Sequence, residues 1–226
     1  MSEKTKIPRR RFLVLTGGAI GATALACCGL TGLGMQQPTV EFIESSCGDE
    51  GNAEGKVLIA YASNCGSTGE VAGAIGQALC EAGAMVDVRL AKNVSDLSPY
   101  RAVVVGSAIH SSSWLPEAVE FVKTHRDALS RVPVAYFLVC LTLAAVDTEE
   151  TRRKVATFLD PVREQVPQVQ PVDMGLFAGV LDFGKLPFNY RFIWPFMPGD
   201  VTEGDYRDWE AIRAWAVGLH PKLLGT

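Results

Sequence analysis

From about residue 56 onward the chain alternates two patterns of apolar and polar positions. Short continuous apolar runs, "KVLIAYA" at 56–62, "RAVVVGSAI" at 101–109 and "VPVAYFLVCL" at 132–141, lack the every-second-residue polarity of a half-exposed strand. They predict strands buried on both faces. "AMVDVRL" at 84–90 is half polar and suits an edge, and "VDMGLFAGVL" at 172–181 is a fifth run. Between them the apolar period lengthens to three and four. Val71, Ala72, Ile75, Leu79 and Cys80 mark a helix over 68–82 that stops at Gly83. "LPEAVEFVKTHRDAL" at 115–129 predicts a helix with Pro116 in its first turn, and 147–159 a charged helix whose inner face carries Val155, Phe158 and Leu159. The closing helix, within "DYRDWEAIRAWAVGL" at 205–219, sets Trp209, Ile212, Trp215 and Leu219 on one face.

Buried strands separated by helices pair in parallel through right-handed crossovers, which covers both faces of the sheet. The predicted fold is therefore α/β, a doubly wound five-stranded parallel sheet with helices on both faces. Ligands in such sheets bind at the carboxyl edge of the strands. Three loops are expected there, at 63–68, 107–114 and 140–146.

The first 35 residues read differently. Five basic residues (Lys4, Lys6, Arg9, Arg10 and Arg11) oppose Glu3, and no charge follows from Phe12 to Val40. This is an export signal or a membrane anchor over 1–35. Arg9-Arg10-Arg11-Phe12-Leu13 resembles the twin-arginine export signature, and Cys27-Cys28 leaves lipidation open. Residues 36–55, "QQPTVEFIESSCGDEGNAEG", read as a flexible tether, and 56–226 as the folded domain. An extracytoplasmic location, exported or anchored, is expected.

Composition narrows the partners. At 226 residues and 48% apolar content the chain can bury a core. Its net charge of −4 becomes −8 once the basic N-terminus is set aside, which argues against a nucleic-acid partner. The cysteines show no CxxC pair or metal rhythm, so no metal site is expected. An oxidising compartment permits a disulfide, but Cys65 and Cys80 are expected to lie apart and to serve as small apolar packing.

The stretch with chemistry in it is "YASNCGSTGEVA" at 61–72. A buried strand ends in small polar residues and a glycine, and a helix follows at once. Gly66 can take the positive φ of a tight wrap, while the Ser63, Ser67 and Thr68 hydroxyls and the first helical N–H groups surround an anion. Neither GxxxxGK[ST] nor GxGxxG is present, and the loop has no lysine, which suits a monophosphate held by neutral donors.

Tyr61, Ser63, Gly66, Thr68 and Ala72 stand where flavodoxins carry their phosphate-binding pattern, and the loop resembles theirs. "VVVGSAIHSSSWLPEAVEFVKTH", "VPVAYFLVCLTLA", "AGVLDFGKLPFNYRFI" and "DYRDWEAIRAW" are further similar to the flavodoxin-like, menaquinone-dependent protoporphyrinogen dehydrogenases. The resemblance implies FMN as cofactor. Ser63, Asn64, Cys65, Gly66, Ser67 and Thr68 would hold its phosphate. Ser107, Ala108, Ile109, His110 and Ser111 would flank the ring, and Val139, Cys140, Leu141 and Thr142 would meet its polar edge. His110 stands where that family more often has arginine, and Cys140 where it tends to have asparagine. Trp114 either stacks on the ring or packs at the start of its helix. No proton-transfer residue is assigned.

The aromatic stretch from Phe183 to Met197 reads as either a membrane-facing or quinone-facing lip or a cover over the sheet edge. Two functions stay open. One is a membrane-associated FMN oxidoreductase linked to a quinone, and the other is a tethered carrier that docks redox proteins by its acidic surface.

Overall fold

Five of the apolar runs pair as parallel strands. The computed structural model describes residues 40–48, 55–185 and 201–225. The expected signal or anchor therefore lies outside the described residues, as do 36–39 and 49–54 of the tether and 186–197 of the aromatic stretch. The strands are β1 (Ser45–Cys47), β2 (Lys56–Ala62), β3 (Met85–Leu90), β4 (Ala102–His110), β5 (Ser113–Trp114), β6 (Val134–Cys140), β7 (Pro171–Ala178), β8 (Val180–Leu181) and β9 (Gly204–Asp205). The helices are α1 (Ser67–Glu81), α2 (Pro116–Thr124), α3 (Arg126–Leu129), α4 (Thr142–Ala145), α5 (Glu149–Ala156), α6 (Asp160–Gln165) and α7 (Trp209–Leu224). The parallel strands run in the order β3-β2-β4-β6-β7. This is the doubly wound topology, with the carboxyl ends of β2, β4 and β6 on one edge.

The two sheet faces have separate cores. On one, Val71, Ile75 and Leu79 of α1 and Ile212, Ala216 and Leu219 of α7 pack on Val57, Ile59 and Phe137. On the other, Phe121 and Val122 of α2 and Val162 of α6 pack on Leu58, Val103 and Leu138. Each large side chain so buried contributes about 1.5–3 kcal/mol. Gly106 in β4 makes room for one of them, since a Cβ there would lie 1.9 Å from the tip of the Phe137 ring.

Several boundaries depart from the periodic reading. The helix expected over 115–129 breaks at His125 into α2 and α3. The one expected over 147–159 begins at Glu149, where Thr148 accepts a hydrogen bond from the Thr151 N–H. It passes through a 3₁₀ turn, Thr157–Leu159, into α6, and Pro161 in the first turn of α6 lacks the N–H that α5 needs to continue. The fifth run splits at Gly179, after which β8 pairs antiparallel with β9.

The largest departure is in the tether. Residues 45–47 pair antiparallel with β3, Cys47 is disulfide-bonded to Cys80 near the end of α1, and the Tyr61 hydroxyl donates to the Ile43 carbonyl at 3.0 Å. Over residues 40–48 the chain is a strap along the sheet edge. Cys80 is thus a crosslink rather than packing, and it pairs across 33 positions with a cysteine from the segment read as flexible. The reason is the polar edge of β3. Asp87, 4% exposed, accepts from Ser46 Oγ and Tyr100 OH at 2.7 Å each and pairs with Lys56 Nζ at 2.8 Å.

Burial pushes the Asp87 carboxyl up, but the bonds from Lys56, Ser46 and Tyr100 and the charge of Arg89 outweigh it and hold the group below its usual range. A depressed folded-state pKa stabilises above the unfolded value of about 3.9, and the contribution is lost as pH falls through the folded value. Asp87→Asn is therefore expected to flatten the acid limb of the stability curve below about pH 4. Urea unfolding across the acid range measures this, and an unchanged limb contradicts it.

Candidate functional site

The loop after β2 turns sharply into α1. Gly66 sits at the N-cap with φ 86° and ψ −28°, a left-handed conformation that disfavours side chains. Its N–H donates to Ser63 Oγ at 2.9 Å, which folds the loop back on itself. The Gly66 carbonyl accepts from the Gly69 and Glu70 N–H groups at 2.8 and 3.2 Å. Helix geometry leaves the N–H groups of Ser67 and Thr68 without intrahelical acceptors. The Thr68 hydroxyl is fully buried and has no hydrogen-bond partner among the described residues. An orphaned hydroxyl beside free helical N–H groups suits a small anion. Asn64 is exposed, and Cys65 and Ser67 are half-buried.

Beside the loop lies a cavity of about 160 Å³ lined by Cys65, Ser67, Glu70, Asp182, Lys185 and Arg207, among others. The Cys65 thiol donates to the Lys185 carbonyl at 3.5 Å, and burial pushes its pKa up. Cys140, 4% exposed, is likewise pushed up by burial. Neither is poised as a thiolate at neutral pH, which fits inert packing.

The other two predicted loops share that edge but are more regular than expected. Ser107, Ala108, Ile109 and His110 belong to β4 itself, which continues through Ser111 and Ser112 into β5 as a hairpin. Ser111 and Ser112 both have positive φ, 51° and 60°, the backbone of a tight two-residue hairpin turn that usually carries Asn-Gly. Holding serines there strains the turn beside the site. Ser107 is spent on structure, because its fully buried hydroxyl accepts from the Leu115 N–H at 2.9 Å and donates to the Ala108 carbonyl at 2.8 Å. Trp114, 3% exposed, packs edge-on against Tyr136 with ring centroids 5.1 Å apart, the helix-start role rather than a ring-facing one. Val139 and Cys140 end β6 and are buried, Leu141 is half-buried, and Thr142 is exposed at the start of α4.

One residue escaped the sequence reading. Arg207, with its side chain 7% exposed, donates from Nη1 to Glu70 Oε2 at 2.7 Å and grips Asp205 through Nε and Nη2 at 2.8 and 2.7 Å. Its guanidinium lies 4.3 Å from the centre of the Trp209 ring. A lone arginine in a polar segment gives no signal of this in the sequence.

A family profile described as Flavodoxin domain matches residues 58–205, from within β2 to the end of β9. The chain belongs to the flavodoxin family. The chain is 27% identical over 172 residues to protoporphyrinogen IX dehydrogenase (quinone) of Escherichia coli strain K12, covering 71% of this chain and 92% of that one. It is 31% identical over 130 residues to the protein of the same name from Leishmania major, covering 53% of this chain and 54% of that one. It thus spans about half the length of the Leishmania relative. Among solved structures, oxidised Flavodoxin 2 from Bacillus cereus aligns at 20% identity and a TM-score of 0.47, over 74% of this chain and 99% of that one. The cofactor of this domain is FMN. No helix among the described residues is long and apolar enough to cross a membrane.

Proposed function

We propose that this protein is an FMN oxidoreductase that works at the extracytoplasmic face of a membrane and passes electrons to a quinone. The observation that carries the cofactor site is the buried, unpartnered Thr68 hydroxyl beneath the left-handed Gly66 at the start of α1. Residues 63–68 take the phosphate there, with Ser63 holding the turn and Ser67 and Thr68 supplying donors. The β4–β5 hairpin, through Ala108, Ile109, His110 and Ser111, flanks the ring, and residues 139–142 border its polar edge. FMN supplies one- and two-electron redox chemistry when bound. The protein binds and orients it, and backbone donors at the polar edge set its potential.

The quinone link is supported by the named activity of both curated relatives. Protoporphyrinogen is the donor to test first. The location is supported by the basic, then uncharged N-terminus and by the Cys47–Cys80 disulfide, a bond that persists in oxidising compartments. The aromatic residues from Phe183 to Met197, most of which lie outside the described residues, are proposed to meet the membrane or quinone.

The acidic body favours a second reading, a tethered carrier that docks redox proteins by charge. Anaerobic photoreduction of the FMN-loaded full chain, followed by mixing with menadione, separates the two. Rapid, saturable reoxidation, and multiple turnovers with protoporphyrinogen as donor, are expected of the oxidoreductase. Reoxidation only by partner redox proteins, strongly slowed by salt, would favour the carrier.

A further inference from the structure

Among the described residues Arg207 is the least exposed cation near residues 63–68, and its position is unusual for what it does there. It is 137 positions from Glu70 in sequence, yet one guanidinium joins the first turn of α1 to β9. Nη1 also lies 3.5 Å from the Ser67 carbonyl, at the loop's last turn. The grip on Asp205 is bidentate, so the guanidinium plane is fixed from one side and Glu70 is held from the other. The Trp209 ring covers its face, and Asp208 between them caps α7 by accepting from the Ala211 N–H at 2.9 Å.

Glu70 poses a problem for the site that Arg207 solves. A carboxylate in the first turn stabilises the empty helix by facing its positive end. It opposes the same site once a dianionic phosphate arrives, because like charges within several ångströms repel strongly where solvent is reduced. The Glu70 carboxylate is bound to a buried guanidinium that is itself held by Asp205, so its position is fixed and part of its charge is offset.

We propose that Arg207 is a positioning residue for the cofactor phosphate. It acts through Glu70, not by touching the phosphate, and it makes the site selective for flavin that carries a phosphate over flavin that does not. The inference rests on the assignment of residues 63–68 to the phosphate. It explains how a loop without lysine tolerates a glutamate four residues after its glycine. It also accounts for an arginine rather than a lysine at 207, since a single ammonium cannot grip Asp205 bidentately and reach Glu70 together.

The test is a set of binding titrations, by quenching of flavin fluorescence, with FMN and with riboflavin, on the full-length wild-type chain, Arg207→Gln, Glu70→Gln and the double variant. The wild type should prefer FMN. Arg207→Gln should lose FMN affinity by roughly tenfold to hundredfold while riboflavin affinity holds. Glu70→Gln alone should keep or raise FMN affinity, and in the double variant it should restore most of what Arg207→Gln loses. Equal losses of FMN and riboflavin in Arg207→Gln, or no rescue in the double variant, would mean a merely structural role and overturn the proposal. If Arg207→Gln does not fold, Glu70→Gln decides, since a marked loss of FMN affinity there overturns it as well. A wild type that binds both flavins equally would instead remove the phosphate assignment on which the proposal rests.

Discussion

Replacing Cys47 and Cys80 together by serine is expected to destabilise the folded chain by about 3–4 kcal/mol. The bridge closes a loop of 33 positions, and the chain entropy it removes from the unfolded state sets that size. The strap has few other apolar holds. Ser45, Ser46 and Cys47 are all exposed, and their pairing to β3 is a three-residue ladder. Polar contacts supplement it: Arg89 donates to the Ser45 carbonyl, and Glu44 accepts from the Leu90 N–H and from Asn93 at 3.0 Å each. Solvent-exposed bonds of this kind contribute little singly. Urea unfolding should show a midpoint lower by roughly 1–2 M at typical slopes. The wild type treated with a dithiol reductant should follow the variant. Coincident midpoints for oxidised, reduced and variant protein would contradict the bridge.

The strap also reaches the loop between β2 and α1. A Cβ on Gly66 would meet the Glu41 carbonyl and a Val40 methyl at 3.1 Å each, so the strap's first residues back the loop. The strap therefore meets both ends of α1, through residues 40 and 41 beside Gly66 and through the Cys47–Cys80 bond.

Thr68→Val carries the second large effect, and its two consequences have opposite signs. The hydroxyl is buried without a partner among the described residues, and an unpaired buried polar group costs about 1–3 kcal/mol. Valine has nearly the same shape and lacks that group, so the flavin-free variant should be more stable than the wild type by about 1 kcal/mol. The same change removes a donor from the phosphate, and charge-assisted bonds are the strong ones. FMN affinity should fall roughly tenfold to hundredfold, with riboflavin affinity little changed. A variant that is less stable without flavin, or that keeps its FMN affinity, would show that the hydroxyl serves the fold.

The parallel core was legible because its central strands β2, β4 and β6 are continuous apolar runs, and burial on both faces leaves that mark whatever the surroundings. The sharp turn from β2 into α1 was legible for a related reason. Its spacing of Ser63, Gly66 and Thr68 is dictated by a local turn, and local geometry is written locally. The strap was not legible. "SSC" has no period, and its partners Asp87 and Cys80 lie more than thirty residues away. Arg207 was hidden in the same way, since only the packing of α7 against α1 brings it to Glu70. Trp114 could be read two ways because an aromatic residue at a loop end looks alike in either role. The hairpin turned its indole inward onto Tyr136. The last run leaves β6 after Gly179, whose carbonyl accepts from the Tyr206 N–H at 3.1 Å just past β9.

Titration of the flavin-free full chain with FMN and with riboflavin, followed by fluorescence quenching, tests the phosphate site most directly. Binding of one FMN per chain, at least about a hundredfold tighter than riboflavin, with most of that preference lost in Thr68→Val, is the result predicted. No quenching by FMN, or equal affinity for the two flavins, would contradict it.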